Sequence, residues 1–236
     1  MTARSRLQRI WYGLLKRLLF LAGVMFFRVR YFGRENIPAT GGVLVVSNHQ
    51  SHFDPPLVGA GCPRHMNYLA RKTLFGFAPF RWLIRSLDAI PIDRDGIGLG
   101  GLKESLRRLK RGEMVLIFPE GTRSGDGQVA AFRPGFTVLA SRSGSAILPV
   151  AIDGAFAVWP RWRKFPGLGT IHVYFGPPLM PREIAGRDER ELVAEIQRRV
   201  EECHAWVRKH AVLIGSGNRN GRPATSPAAP SACRGW

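Results

Sequence analysis

Short apolar, β-branched runs alternate with helical patterns through the middle of this 236-residue chain, and no other feature of the sequence restricts the fold as much. Val43–Val46, Ala89–Ile92, Met114–Phe118, Ile147–Ile152 and Thr170–Phe175 read as strands. Pro55–Gly61, Thr73–Leu87, Leu99–Arg111, Gly135–Ser143 and Arg182–His210 read as helices. The alternation predicts an α/β fold, a mostly parallel or mixed sheet flanked by helices. The length suits one domain with room for a sizeable core.

Polar residues gather just beyond three of those strands. Ser47-Asn48-His49-Gln50-Ser51-His52-Phe53-Asp54 follows the first, Asp93-Arg94-Asp95 the second and Pro119-Glu120-Gly121-Thr122-Arg123-Ser124 the third. Open α/β sheets bind ligands outside the carboxyl ends of their strands. Parallel strands would therefore bring a base, a carboxylate and several arginines to one rim.

The ends of the chain differ from its middle. Residues 1–34 carry Arg4, Arg6, Arg9, Lys16, Arg17, Arg28, Arg30 and Arg34 and no acidic residue. Leu7, Ile10, Trp11, Leu14, Leu18, Leu21 and Met25 recur at helical spacing and form one apolar stripe, with Arg6, Arg9, Lys16 and Arg17 on another face. The longest uncharged run, Leu18–Phe27, falls short of the roughly 20 residues a span needs. The expectation is a basic amphipathic helix lying in the headgroup region of an anionic leaflet. From Gly215 the sequence turns rich in Gly, Pro, Ser and Ala without periodicity, which predicts a disordered tail over 215–236 and a central domain over 35–214.

The net charge of +18 calls for an anionic partner but does not choose between nucleic acid, a membrane and a phosphorylated substrate. Cys62, Cys203 and Cys233 form no CxxC pair, which excludes a disulfide scaffold and a cysteine-rich zinc site and fits a reducing, cytosolic compartment. No GxSxG elbow, Walker loop or HExxH helix is present. No metal is expected. His49 and Asp54 stand close enough for a turn to fold the carboxylate onto the imidazole, which would leave the other ring nitrogen as a general base. Asp54 before Pro55 is also a good helix N-cap. Arg94, Arg123 and Lys72 suit phosphate oxygens, although such residues are more often solvated surface charge.

Four segments together resemble the glycerolipid acyltransferase family, the 1-acylglycerol-3-phosphate acyltransferases and their relatives. They are Asn48-His49-Gln50-Ser51-His52-Phe53-Asp54 (an NHxxxxD box), Ala89-Ile90-Pro91-Ile92-Asp93-Arg94, Phe118-Pro119-Glu120-Gly121-Thr122-Arg123-Ser124 (an FPEGTRS box) and Ile147-Leu148-Pro149-Val150-Ala151-Ile152. Order and spacing match over roughly residues 30–185. Arg81, Asp88 and Pro134 depart from the family's usual residues.

The resemblance implies transfer of an acyl chain from a thioester, acyl-CoA or acyl carrier protein, to the free hydroxyl of lysophosphatidate, giving phosphatidate in phospholipid biosynthesis. Another lysolipid or glycerol 3-phosphate is an alternative acceptor. It implies His49 as base and Asp54 as its partner. Lys72, Arg94, Glu120, Gly121, Thr122 and Arg123 would bind the acceptor's phosphate and glycerol, and Pro149 would contact the acyl donor, with no cofactor. The implied location is peripheral or monotopic, on the cytoplasmic face of an anionic cell membrane, with no nucleic-acid partner. Charge alone leaves a non-enzymatic membrane or nucleic-acid binder, and His49 acting on water leaves a thioesterase-like hydrolase.

Overall fold

The computed structural model describes residues 6–71, 90–92 and 98–217. The helix expected over 73–87 lies outside them, as do residues 218–236 of the tail expected over 215–236, whose first three residues instead end the last helix. In chain order the elements are α1 (Arg6–Phe27), β1 (Arg30–Phe32), β2 (Val43–Ser47), α2 (Asp54–Gly61), β3 (Met66–Arg71) and β4 (Ile90–Ile92). They continue with α3 (Gly98–Lys110), β5 (Met114–Ile117), α4 (Thr137–Ser143), β6 (Ala146–Asp153), α5 (Ala155–Val158), β7 (His172–Phe175), α6 (Pro181–Ile184) and α7 (Glu189–Gly217).

The seven strands form one sheet in the order β1-β7-β6-β2-β5-β3-β4. Every pair is parallel except β6 with β7, so the sheet is mixed. The central strands read as unbroken apolar runs because both faces are covered. Val43 and Val45 of β2 enter one core with Met114 and Leu116 of β5 and Leu57 and Val58 of α2. Leu44 and Val46 enter the opposite core with Val115, Leu109, Leu139, Leu192 and Ile196. Successive residues thus face helices on alternate sides, as a period of two requires.

Two strands escape the sequence pattern. Arg30–Phe32 is short, begins with a charge and lies at the sheet edge beside β7. Met66–Arg71 contains Asn67, which is fully buried. The Asn67 side chain donates to Glu113 Oε2 at 3.0 Å and to the Met114 carbonyl at 2.8 Å, and accepts from Arg108. These bonds offset the desolvation that an unpaired buried amide would suffer. The helix expected over Arg182–His210 is two helices. Between them Gly186 adopts φ +78°, and Asp188 Oδ1 accepts from Arg190 N at 2.8 Å to cap the start of α7. The other expected elements that fall in the described residues lie within two residues of their predicted bounds.

Helix α1 lies along the domain. Tyr12 is buried, with its hydroxyl accepting from Met66 N at 3.2 Å, and Lys16 donates to the Cys62 carbonyl. Lys16 is therefore turned toward the domain, away from the apolar stripe, and its burial lowers its pKa. The opposite face carries the predicted stripe into solvent: Leu7, Ile10, Trp11, Leu14, Leu18, Leu21 and Met25 are all exposed. Ile10–Phe27 is long and apolar enough to cross a membrane by length and composition. The packing of Tyr12, Lys16 and Gly23 on the domain leaves only one side of it available to lipid.

Candidate active site

Strand β2 ends at Ser47, and the chain turns through His49 into α2, which begins at Asp54 with Pro55 and Pro56 in its first turn. Asp54 does not cap its own helix. It reaches back into the turn, where Oδ2 accepts from His49 Nδ1 at 2.7 Å, Gln50 N at 2.5 Å and Ser51 N at 2.7 Å. The carboxylate is fully buried and sits at a helix N-terminus, where negative charge is favoured. With Nδ1–H committed to Asp54, the neutral ring carries its lone pair on Nε2. Nε2 has no partner among the described residues, and the His49 side chain keeps 20% of its surface exposed. Phe118 stacks on the imidazole with ring centroids 4.1 Å apart.

The turn is pinned from several sides. Asn48 is fully buried and pairs with the backbone of Ile152 in both directions, Nδ2 to the carbonyl at 2.9 Å and Oδ1 from the N–H at 2.8 Å. The Gln50 amide donates to Gly127 O at 2.7 Å and accepts from Phe156 N at 3.2 Å. Ser51 Oγ donates to Trp159 O at 2.9 Å. Asn48, Gln50 and Ser51 thus fix the position of His49 and Asp54.

Strand β5 runs parallel to β2, so its carboxyl end opens on the same rim. His49 N donates to Glu120 Oε1 at 3.1 Å, and Ser124 N donates to His49 O at 2.7 Å. Burial raises the Glu120 pKa to about 8, against the opposing pull of the N–H groups of His49 and Ala130; Asp54 and Asp126 raise it further. Burial thus favours the neutral form of Glu120. Gly121 sits at φ +73°, and a Cβ there would come within 2.9 Å of the Arg133 guanidinium carbon. The positive φ is what calls for glycine, since the guanidinium is the flexible end of a side chain and can move aside. Thr122 is exposed, and Arg123 is half-buried. Partial burial, then the charge of Arg123, lowers the His52 pKa.

Pro149 lies in the interior of β6 opposite Val46, with its ring 3.1 Å from where a Gly176 Cβ would stand. Strands β2 and β7 flank β6, so Pro149 is not at the sheet edge. Lys72, Arg94, Arg81 and Asp88 fall outside the described residues. No cluster of metal-ligating side chains occurs among the described residues.

A sequence profile described as Acyltransferase matches residues 28–153, more than half of the chain. The chain belongs to the acyltransferase family. Its sequence is 36% identical over 181 residues to the 1-acyl-sn-glycerol-3-phosphate acyltransferase of Pseudomonas aeruginosa, covering 74% of this chain and 65% of that protein. It is 28% identical over 181 residues to the Bacillus subtilis protein of the same name, covering 76% of this chain and 86% of that one. Among solved structures, the 1-acyl-sn-glycerophosphate (LPA) acyltransferase PlsC of Thermotoga maritima superposes with a TM-score of 0.75 at 26% identity, over 95% of this chain and 86% of that one. As an acyltransferase, the chain carries one basic group at the rim that sequence reading overlooked. That group is Arg133. Its backbone N–H bonds the Pro119 carbonyl at 3.0 Å, which folds the guanidinium over Gly121.

Proposed function

We propose that this acyltransferase moves a fatty acyl group from a thioester to the free hydroxyl of lysophosphatidate, giving phosphatidate in phospholipid synthesis. The observation that carries the reading is the His49–Asp54 pair, with Nδ1 bonded at 2.7 Å and Nε2 at the rim without a partner among the described residues. His49 Nε2 takes the proton from the acceptor hydroxyl as its oxygen attacks the thioester carbonyl. Asp54 holds the ring in the required tautomer and stabilises the imidazolium. When the tetrahedral intermediate collapses, the C–S bond breaks, and the imidazolium returns its proton to the departing thiolate. A positioned base of this kind contributes roughly 10²–10⁴-fold.

Arg123 of the 118–124 segment and Arg133 beyond it hold the acceptor's phosphate, joined by Lys72 and Arg94. Glu120, in its neutral form, bonds a glycerol oxygen without repelling that phosphate. Gly121 and Thr122 admit the glycerol backbone, and Pro149 shapes the acyl-donor side. The donor is acyl-CoA or acyl carrier protein. The exposed stripe of α1 rests on an anionic membrane, at its cytoplasmic face.

The test is thiol release from acyl-CoA and from acyl carrier protein, with and without lysophosphatidate, for wild type and His49→Ala. Release that requires the acceptor and disappears in His49→Ala is expected. Release without acceptor, accompanied by free fatty acid, would make the protein a hydrolase and refute the reading. Turnover with glycerol 3-phosphate alone would replace lysophosphatidate as acceptor.

A further inference from the structure

The loop between α5 and β7 is an unusual piece of surface. Trp162, Phe165 and Leu168 are 64%, 78% and 87% exposed. Arg161, Arg163 and Lys164 stand among them, and residues 154–171 contain no acidic side chain. The loop is nonetheless ordered by its own bonds. Trp159 Nε1 donates to Arg163 O at 2.9 Å, Gly167 N to Val158 O at 2.8 Å and Arg163 N to Pro160 O at 3.2 Å. Large apolar groups held out into water by a braced backbone mark an interaction site.

This loop continues the exposed face of α1. A groove of about 370 Å³ is lined by Met25, Phe26 and Arg28 from the end of α1 and by Leu168, Gly169 and Thr170 from the loop. Ile171 N donates to Phe27 O at 3.2 Å, which ties the two segments side by side. The same surface runs directly to the catalytic turn. Phe27 packs on Phe53 with centroids 4.9 Å apart, and Phe53 on Trp159 at 4.6 Å. Phe53 lies between His49 and Asp54 in the turn.

We propose that the 160–169 loop is a second membrane-docking element, seating the same anionic bilayer as α1 and holding the catalytic turn at headgroup depth. Charge selects the occupant: Arg28, Arg161, Arg163 and Lys164 with no carboxylate among them match anionic headgroups. Trp162, Phe165 and Leu168 match the interfacial layer into which aromatic and aliphatic groups partition. Two contacts, one helix and one loop, define a plane where one helix would leave the domain free to roll. The inference rests on the proposed membrane seat of α1, and its binding measurements involve no turnover.

The experiment measures binding to vesicles rich in phosphatidylglycerol, some with brominated acyl chains. It uses the full chain, Trp162→Phe, the pair Phe165→Glu with Leu168→Glu, and the pair Leu14→Glu with Leu18→Glu in α1. All these side chains are exposed, apart from an edge contact of Trp162 on Phe156 that phenylalanine can keep, so thermal melts should match wild type. Brominated lipid should quench a part of the fluorescence that Trp162→Phe removes. The loop pair should weaken binding on the order of tenfold, and replacing Arg161, Arg163 and Lys164 by Gln on the order of a hundredfold. Wild-type binding by the loop pair, with unchanged quenching in Trp162→Phe, would overturn the proposal and leave α1 as the sole contact. Concentration-dependent dimerisation abolished by the loop pair, without vesicle binding, would assign the surface to a second copy and overturn it too. Transfer to a water-soluble short-chain acceptor, assayed separately, tells failure here from failure of the enzymatic reading.

Discussion

Glu120→Gln offers a test of the site's electrostatics that does not depend on any substrate. Burial raises the folded-state pKa of Glu120 to about 8, from an ordinary value near 4.5. Between those values the folded protein holds a proton that the unfolded chain has released. Stability therefore falls as pH rises through this window and levels off above about pH 8. A single group titrating this way costs the folded state a little over 1 kcal/mol per pH unit. Glutamine keeps the carbonyl oxygen that accepts from His49 N at 3.1 Å but cannot ionise. The stability difference between wild type and Glu120→Gln should thus move by roughly 3 kcal/mol in the variant's favour between about pH 5.5 and 7.5. Urea denaturation of both proteins at several pH values in this range measures it, and groups remote from Glu120 cancel in the difference. A gap that stays constant across the range would mean that Glu120 is ionised throughout. The account of a neutral acid beside the acceptor would then be wrong.

Asp54→Asn removes the charge that stabilises the imidazolium: a carbonyl in the place of Oδ2 keeps all three bonds as a neutral acceptor, and an N–H there loses them; kcat should fall on the order of 10³-fold with KM little changed. Asn48→Ala strands the N–H and carbonyl of Ile152, and chemical denaturation should show a loss of about 2–4 kcal/mol. Arg133→Gln should raise KM for a phosphorylated acceptor about tenfold, while acceptor-independent properties such as the melting temperature stay put; equal KM values would remove Arg133 from the phosphate site.

The sheet's interior was legible because its central strands are covered on both faces and so could hold little but apolar residues. Met66–Arg71 was not, since its place in the sheet depends on Asn67 finding Glu113, Arg108 and Met114 O, partners more than forty positions away. The break between α6 and α7 left a trace in Gly186 and Asp188, but helical spacing on either side masked it. In the site, His49 and Asp54 could be paired from spacing alone, because a five-residue turn is a local device. The roles of Asn48 and Gln50 could not, because each bonds backbone far along the chain, at Ile152 and at Gly127 and Phe156. Arg133 was missed because only the fold lays it over Gly121.

The two backbone bonds between the boxes, His49 N to Glu120 and Ser124 N to His49 O, have a further consequence. They make the segment that would choose the acceptor and the segment that would remove its proton one mechanical part. Substitutions in the two should be strongly non-additive, since disturbing either displaces the same imidazole. A transplant of residues 118–124 from a relative with another acceptor preference would therefore carry over a misaligned base along with the new recognition. Changes of specificity along such a lineage would have to arrive as paired substitutions, one on each side of that seam.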